Sequence, residues 1–272
     1  MWLVMKNFSL IRLAAVVLTA ILLAGCGAAP LTGRRQILLV SDQEVYEAGL
    51  TQYQEYMKSA KVSPDAVASA RVKAVGQKMA DATERYLKAN GFGSEIPDLK
   101  WEFNLVDNDQ VNAFCLPGGK IVVYDGLLSV ARSEAELAVV IGHEIAHAVA
   151  KHSNERLSQQ ILTQYGMQIL SQALSDKSEA VRNTATSVFG LGAQVGLMLP
   201  YSRKHEFEAD YMGIVFMEIA GYDSSSAVDF WTKMSAGGAG ANDFLSTHPS
   251  DSRRISELKR RIPEAKSIAE RY

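Results

Sequence analysis

Cysteine is scarce in this chain. Cys26 and Cys115 are the only two among 272 residues, and because Cys26 sits in a lipid-attachment pattern, Cys115 has no intramolecular partner and a disulfide scaffold is excluded. Its apolar neighbours Phe114 and Leu116 mark Cys115 as a packed thiol. The fold must therefore rest on a hydrophobic core, which one domain of this length can bury. Positive charge is not in excess either: a net charge of −2 with 21% charged residues gives no polybasic signal and argues against nucleic acid as a partner. Internal repeats are absent. The stretch 153–200 is rich in small and apolar residues, but it is interrupted by Gln194 and glycines and falls short of the roughly 20 apolar residues a membrane span needs.

What is present begins at the N-terminus. Lys6 and Arg12 lead into an apolar run from Leu13 to Leu23, and Leu23-Ala24-Gly25-Cys26 has the form of a bacterial lipoprotein cleavage site. The expected organisation is a signal peptide over 1–25, a lipid-tethered linker over 26–40 and a single domain over 41–272. An uncleaved anchor is the alternative. Cleavage before Cys26 would make its thiol the lipid attachment point, and Gly27 in place of a retention aspartate favours the outer membrane facing the periplasm.

The chemistry is concentrated in His143-Glu144-Ile145-Ala146-His147. Residues four apart on a helix differ by about 40° and about 6 Å, so both imidazoles leave one face and can share a Zn²⁺ at about 2.0–2.1 Å. Glu144 projects beside that point as a general base rather than a ligand. Ser133 with Glu136 forms a capping box, and Leu137, Val140, Ile141 and Ala148 supply an apolar stripe. The pentapeptide also occurs by chance, so a third ligand has to decide. The metzincin positions hold Ala150 and Ser153 instead of glycine and histidine. His152 lies about 140° from His147 on a continuous helix, which predicts that it faces away from the metal, as a surface residue or a partner of a ligand. Downstream, Glu206 and Asp210 share one helical face and can supply a carboxylate ligand and an acceptor that fixes the tautomer of a ligand histidine. Glu208, about 200° from Glu206, reads as a solvated or salt-bridged charge.

These segments, together with Pro30-Leu31-Thr32-Gly33-Arg34-Arg35-Gln36, Asn112-Ala113-Phe114, Pro117-Gly118-Gly119 and Thr247-His248-Pro249 followed by Arg253, resemble the HtpX-like and CAAX-prenyl-protease-like gluzincins. The likeness is greatest to the soluble lipoprotein branch of that zinc metallopeptidase family in bacterial envelopes. The resemblance implies one Zn²⁺ per chain held by His143, His147 and Glu206, with Glu144 as catalytic base and Asp210 orienting a ligand histidine. It also brings His248 and Arg253 toward the metal, as oxyanion stabilisers or, for His248, as a resting ligand that latches the site. On sequence alone, a lone histidine before proline reads as the cap of a turn.

Alternation of Trp101, Phe103 and Leu105 predicts a strand, and 111–116 with 120–124 flank a turn at Pro117-Gly118-Gly119. A strand beside the zinc helix could accept an extended peptide, and the resemblance nominates Asn112 and Ala113 as its contacts. Helical patterns cover 41–61, 64–89, 223–234 and 255–270, with Pro263 a candidate bend, and Gly237–Gly240 reads as a connector toward His248. The segment 153–200 begins as a helix and could be a lid or a buried helix pair. The expected fold is α+β and mainly helical, a zincin-like domain with a small mixed sheet whose edge strand borders the active-site helix. The expected function is endoproteolysis of misfolded or unassembled envelope proteins. A zinc-fold chaperone or assembly factor and a hydrolase of a non-peptide substrate are the rivals.

Overall fold

The computed structural model describes residues 26–173, 202–236, 241–248 and 252–272. The signal-peptide reading, the stretch from 174 to 201, the glycine connector and Pro249 lie outside the described residues. Eight helices are described: α1 (Asp42–Ser59), α2 (Ala66–Ala89), α3 (Glu134–Val149), α4 (His152–Ala173), α5 (Arg203–Ile219), α6 (Ser226–Ser235), α7 (Ala241–Thr247) and α8 (Ser252–Ala269). With the strands β1 (Cys26–Ala28), β2 (Arg35–Ile37), β3 (Glu102–Val106), β4 (Ala113–Leu116) and β5 (Lys120–Tyr124), the fold is the expected α+β, mainly helical arrangement. No helix among the described residues is long and apolar enough to cross a membrane.

The centre of the molecule is α3. Its start is fixed by the capping box, with Ser133 Oγ accepting from the Glu136 amide at 3.1 Å and Glu136 Oε2 accepting from the Ser133 amide at 3.2 Å, which satisfies two helix-end donors at once. Where the sequence predicts an apolar stripe, the helix is buried nearly all round, because α2, α5, α6 and β4 all pack on it. Leu137 and Ile141 are completely enclosed, and each such side chain contributes about 1.5–3 kcal/mol by leaving water. Facing them, α2 turns Val72, Val75, Met79 and Tyr86 inward at helical spacing.

Two glycines let α3 and α5 come together. A Cβ on Gly213 would lie 3.1 Å from the carbonyl carbon of Gly142, and one on Gly142 would lie 3.2 Å from the Gly213 oxygen. Only hydrogens fit at this crossing, so the backbones approach closely enough for side chains one turn away to meet.

The small sheet has the order β3-β5-β4. Parallel pairing of β3 with β5 and antiparallel pairing of β4 with β5 make it mixed, and they leave β4 as the edge beside α3. The turn into β5 places Gly118 and Gly119 at φ 83 and 84, backbone that glycine adopts without a Cβ clash. The segment 26–40, expected as a linker, contains an antiparallel hairpin of β1 and β2, its loop closed by the Ala29 amide donating to the Arg34 oxygen at 2.9 Å. Strand β2 packs on α4. Pro263 lies inside α8 without dividing it.

Candidate metal centre

Helix α3 presents His143 and Glu144 beside the glycine crossing and His147 about one turn beyond it, and α5 presents Glu206 and Asp210 opposite them. The ring nitrogens His143 Nε2 and His147 Nε2 are 3.0 Å apart. Glu206 closes on both, with Oε2 at 3.4 Å from His143 Nε2 and Oε1 at 3.5 Å from His147 Nε2. After α7, His248 brings Nδ1 to 3.2 Å from His143 Nε2 and 3.3 Å from Glu206 Oε1. One donor atom from each of these four buried residues lies within 4.8 Å of the other three.

The amino-acid sequence matches the model of Peptidase family M48 over residues 68–262. This chain belongs to peptidase family M48. Among curated relatives it is 41% identical over 172 residues to the mitochondrial metalloendopeptidase OMA1 of Arabidopsis thaliana, covering 63% of this chain and 33% of that protein. It is 30% identical over 249 residues to the mitochondrial metalloendopeptidase OMA1 of Homo sapiens, covering 89% of this chain and 47% of that one. To the beta-barrel assembly-enhancing protease of Yersinia pestis it is 31% identical over 173 residues, 61% of this chain and 35% of that protein. The chain thus spans half or less of the length of these three relatives.

The donor set fits the zinc of an M48 metalloendopeptidase. Around a tetrahedral ion bound at about 2.0–2.1 Å, donor atoms stand about 3.3 Å apart; the contacts given above, counting either Glu206 oxygen, lie between 3.0 and 3.5 Å, and one donor atom from each residue lies within 4.8 Å of the others. Asp210 Oδ1 lies 3.0 Å from His143 Nδ1. A carboxylate only accepts, so that nitrogen carries the hydrogen and Nε2 offers its lone pair toward His147. Two lone pairs at 3.0 Å repel unless a proton or a cation lies between them. Glu144 Oε1 is buried and makes no hydrogen bond among the described residues, an acceptor that suits a nearby cation, while Glu206 Oε2 faces the Arg254 guanidinium.

The electrostatics show how the carboxylates concentrate negative charge around these rings. Burial opposes charge on His143, but hydrogen bonds and attraction from Asp210 and Glu206 outweigh it and lift its pKa to about 9. His147 is driven well below the usual imidazole value by burial. For Glu206 burial works against ionisation, yet His248 and His143 hold its pKa far below the ordinary carboxylate range. Glu144 is raised, chiefly by burial, with His248 and His143 pulling the other way. A carboxylate moved upward toward neutrality is better suited to exchange protons in catalysis.

Several surrounding residues sit differently from the sequence reading. Arg253, expected near the metal, is exposed, whereas Arg254 is buried and donates from Nε to Asp210 Oδ2 and from Nη2 to Asp210 Oδ1, each at 2.7 Å. The Arg254 Nη1 atom is 3.0 Å from Glu206 Oε2, and the guanidinium lies over the Trp231 ring at 3.8 Å. The buried phase of α8 explains the one-residue difference, since Leu258 and Ala265 share a face with residue 254 rather than 253. His152 does not turn away. Helix α3 ends at Val149 and Lys151 adopts φ 53, so the rotation expected of a continuous helix never accumulates, and His152 Nδ1 comes to 2.8 Å from His147 Nδ1. It is wholly buried, and burial lowers its pKa to about 4. Glu208 is salt-bridged as foreseen, but enclosed rather than solvated: it pairs with Arg34 and with His152 Nε2 at 3.0 Å.

At the sheet edge, the Ala113 amide donates to Asn112 Oδ1 at 2.9 Å, and the Cys115 amide lies near enough to the Glu144 carboxylate to favour its charged form. These alternate amides face away from β5, so the outer edge of β4 runs past the catalytic-base candidate. A small open cleft adjoins it, lined by Val45, Tyr46, Leu116, Pro117, His147 and Ala148 among others.

Proposed function

We propose that this chain is a zinc-dependent endopeptidase acting on polypeptides of the bacterial cell envelope, tethered through a lipid on Cys26 to the outer membrane and facing the periplasm. The convergence of His143, His147 and Glu206 around one cation-sized point, with the Glu144 carboxylate alongside, carries the hydrolytic reading. A zinc ion held there supplies Lewis acidity toward water and a carbonyl oxygen. Glu144 takes the proton from the attacking water and returns it to the leaving amine. Asp210 and Arg254 hold His143 and Glu206 in register. The substrate backbone adds to the outer edge of β4 as an extended strand, with Asn112 and Ala113 exchanging their local hydrogen bond for contacts to it, and the neighbouring cleft receives a side chain.

His248 would hold the remaining position at such an ion in the resting protein. Its Nε2 lies 3.4 Å from Glu144 Oε1, so it stands over the base, and its ring stacks on Phe244 at 4.5 Å. Withdrawal of this residue opens the site to water and substrate. The envelope assignment draws on the leader-like N-terminus and on bacterial relatives such as the beta-barrel assembly-enhancing protease of Yersinia pestis.

Unfolded casein, incubated with the purified protein with and without a chelator, tests the activity. Chelator-sensitive cleavage is expected, with none by Glu144→Gln despite retained zinc. Suppression of casein aggregation without cleavage would favour a chaperone instead. His248→Ala should raise cleavage; a loss would make His248 a participant in turnover rather than a latch.

A further inference from the structure

We infer that the N-terminal hairpin is a working part of the metal site, fixing the tautomer and orientation of His147 through a line of hydrogen bonds that runs from Thr32 and Arg34 through Glu208 and His152. This inference rests on the zinc reading above and extends it to residues outside the ligand set. The line begins where β2 and the hairpin loop meet α5. Thr32 Oγ1 donates to Glu208 Oε1, and Arg34 Nε donates to Glu208 Oε2 at 2.5 Å. The rest of the Arg34 guanidinium forks onto Glu155, Nη1 to Oε1 at 2.8 Å and Nη2 to Oε2 at 2.7 Å. Gln36 donates to the Ala150 oxygen at 2.5 Å and to Glu155 Oε2 at 3.1 Å, tying the hairpin to the connection between α3 and α4. His205 approaches the same Glu155 oxygen at 3.1 Å and stacks on His152 with ring centroids 4.3 Å apart, so His152 has little freedom to turn.

The hydrogen-bond directions follow from the end points. A His147 that offers its Nε2 lone pair to zinc carries its hydrogen on Nδ1, and that hydrogen needs an acceptor. The group at 2.8 Å is His152 Nδ1. To accept there, His152 must hold its hydrogen on Nε2, which points at the Glu208 carboxylate 3.0 Å away. Every donor then meets an acceptor from the hairpin to the ligand. Reversing His147 would aim an N–H at the metal and leave two lone pairs facing each other at its other nitrogen.

Zinc affinity of the full chain, measured by competition with a chromogenic chelator and checked by the visible spectrum of the cobalt-loaded protein, tests this. His152→Phe fills the space but removes the acceptor, and a loss of about 10–100-fold in affinity is expected. His152→Asn places an amide oxygen close to the former Nδ1 and should recover most of that loss, together with the wild-type cobalt spectrum. Glu208→Gln, which alters the line one step further out, should lower affinity about threefold to tenfold, and circular dichroism should report a folded protein in each case. Folded His152→Phe with wild-type affinity, or His152→Asn as weak as His152→Phe, would overturn the inference; should His152→Phe not fold, wild-type affinity in Glu208→Gln would do so. Failure of the wild-type protein itself to bind zinc would instead overturn the parent reading.

Discussion

The two imidazoles of α3 are braced from opposite ends of the chain by different devices. His143 is held directly by Asp210, whose charge is matched by Arg254 from the C-terminal helix. His147 is held through an intervening ring, with Glu208 and the N-terminal hairpin behind it. A direct carboxylate raises the basicity of its histidine, whereas a neutral ring between carboxylate and ligand fixes orientation with little added charge. The first brace is compact and ionic. The second is long, and it makes a segment far away in sequence part of the metal site.

Breaking the ionic brace should have the largest effect on stability. Arg254→Ala leaves the Asp210 and Glu206 carboxylates buried without their cation, and a loss of about 3–5 kcal/mol is expected, read from urea unfolding of the zinc-free protein. Arg253→Ala should stay within about 0.5 kcal/mol of wild type. Equal effects of the two would place the wrong arginine in the core. Separating the helices that carry the braces comes next. Gly213→Ala sets a methyl 3.1 Å from the backbone of Gly142 and of His143, so about 1–3 kcal/mol should be lost. Zinc content, measured by elemental analysis, should drop with it. Unchanged zinc content would mean that the crossing does not set the approach of Glu206 to the histidines.

The smallest expected effect distinguishes the hairpin side by pH. Burial opposes ionisation of Glu155 and Glu208, but His205 and Arg34 for the first, and His152, Thr32 and Arg34 for the second, outweigh it and hold both pKa values below normal. Carboxylates depressed in the folded state contribute stability in full above their unfolded pKa of about 4.3 and lose it as pH falls through the folded values. The melting temperature of zinc-free wild type should therefore decline as pH drops below about 4.5. Arg34→Gln should lower it at pH 7 and converge on wild type in acid. A constant offset between the two proteins across that range would show that Arg34 acts by packing alone.

What the sequence disclosed about this site was mostly local. The H-E-x-x-H helix, its capping box and the glycine turn before β5 depend on residues within a few positions of one another, and each is found where the pattern put it. Helix phase also favours Arg254 over Arg253, because Leu258 and Ala265 mark the buried face. The place of His152 is not legible locally, because it depends on a left-handed Lys151 that ends one helix and starts another, and Lys151 is not a residue that announces such a break. The hairpin contacts join residues more than 170 positions apart, and no periodicity encodes that. Thr32, Arg34 and Gln36 belong to the motif that carries the family resemblance, and their hydrogen bonds to Glu208, Glu155 and Ala150 supply the physical reason. The glycine pair at the helix crossing is legible only once α3 and α5 are known to touch.

The central claim is that two imidazoles of α3, the Glu206 carboxylate and a resting His248 surround one zinc ion. Zinc K-edge absorption on the full-length resting protein tests it most directly. The expected result is one zinc per chain with three imidazole nitrogens and one carboxylate oxygen at about 2.0–2.1 Å, and one nitrogen fewer in His248→Ala. Zinc at well below one per chain, or a resting spectrum unchanged by removing His248, would contradict it.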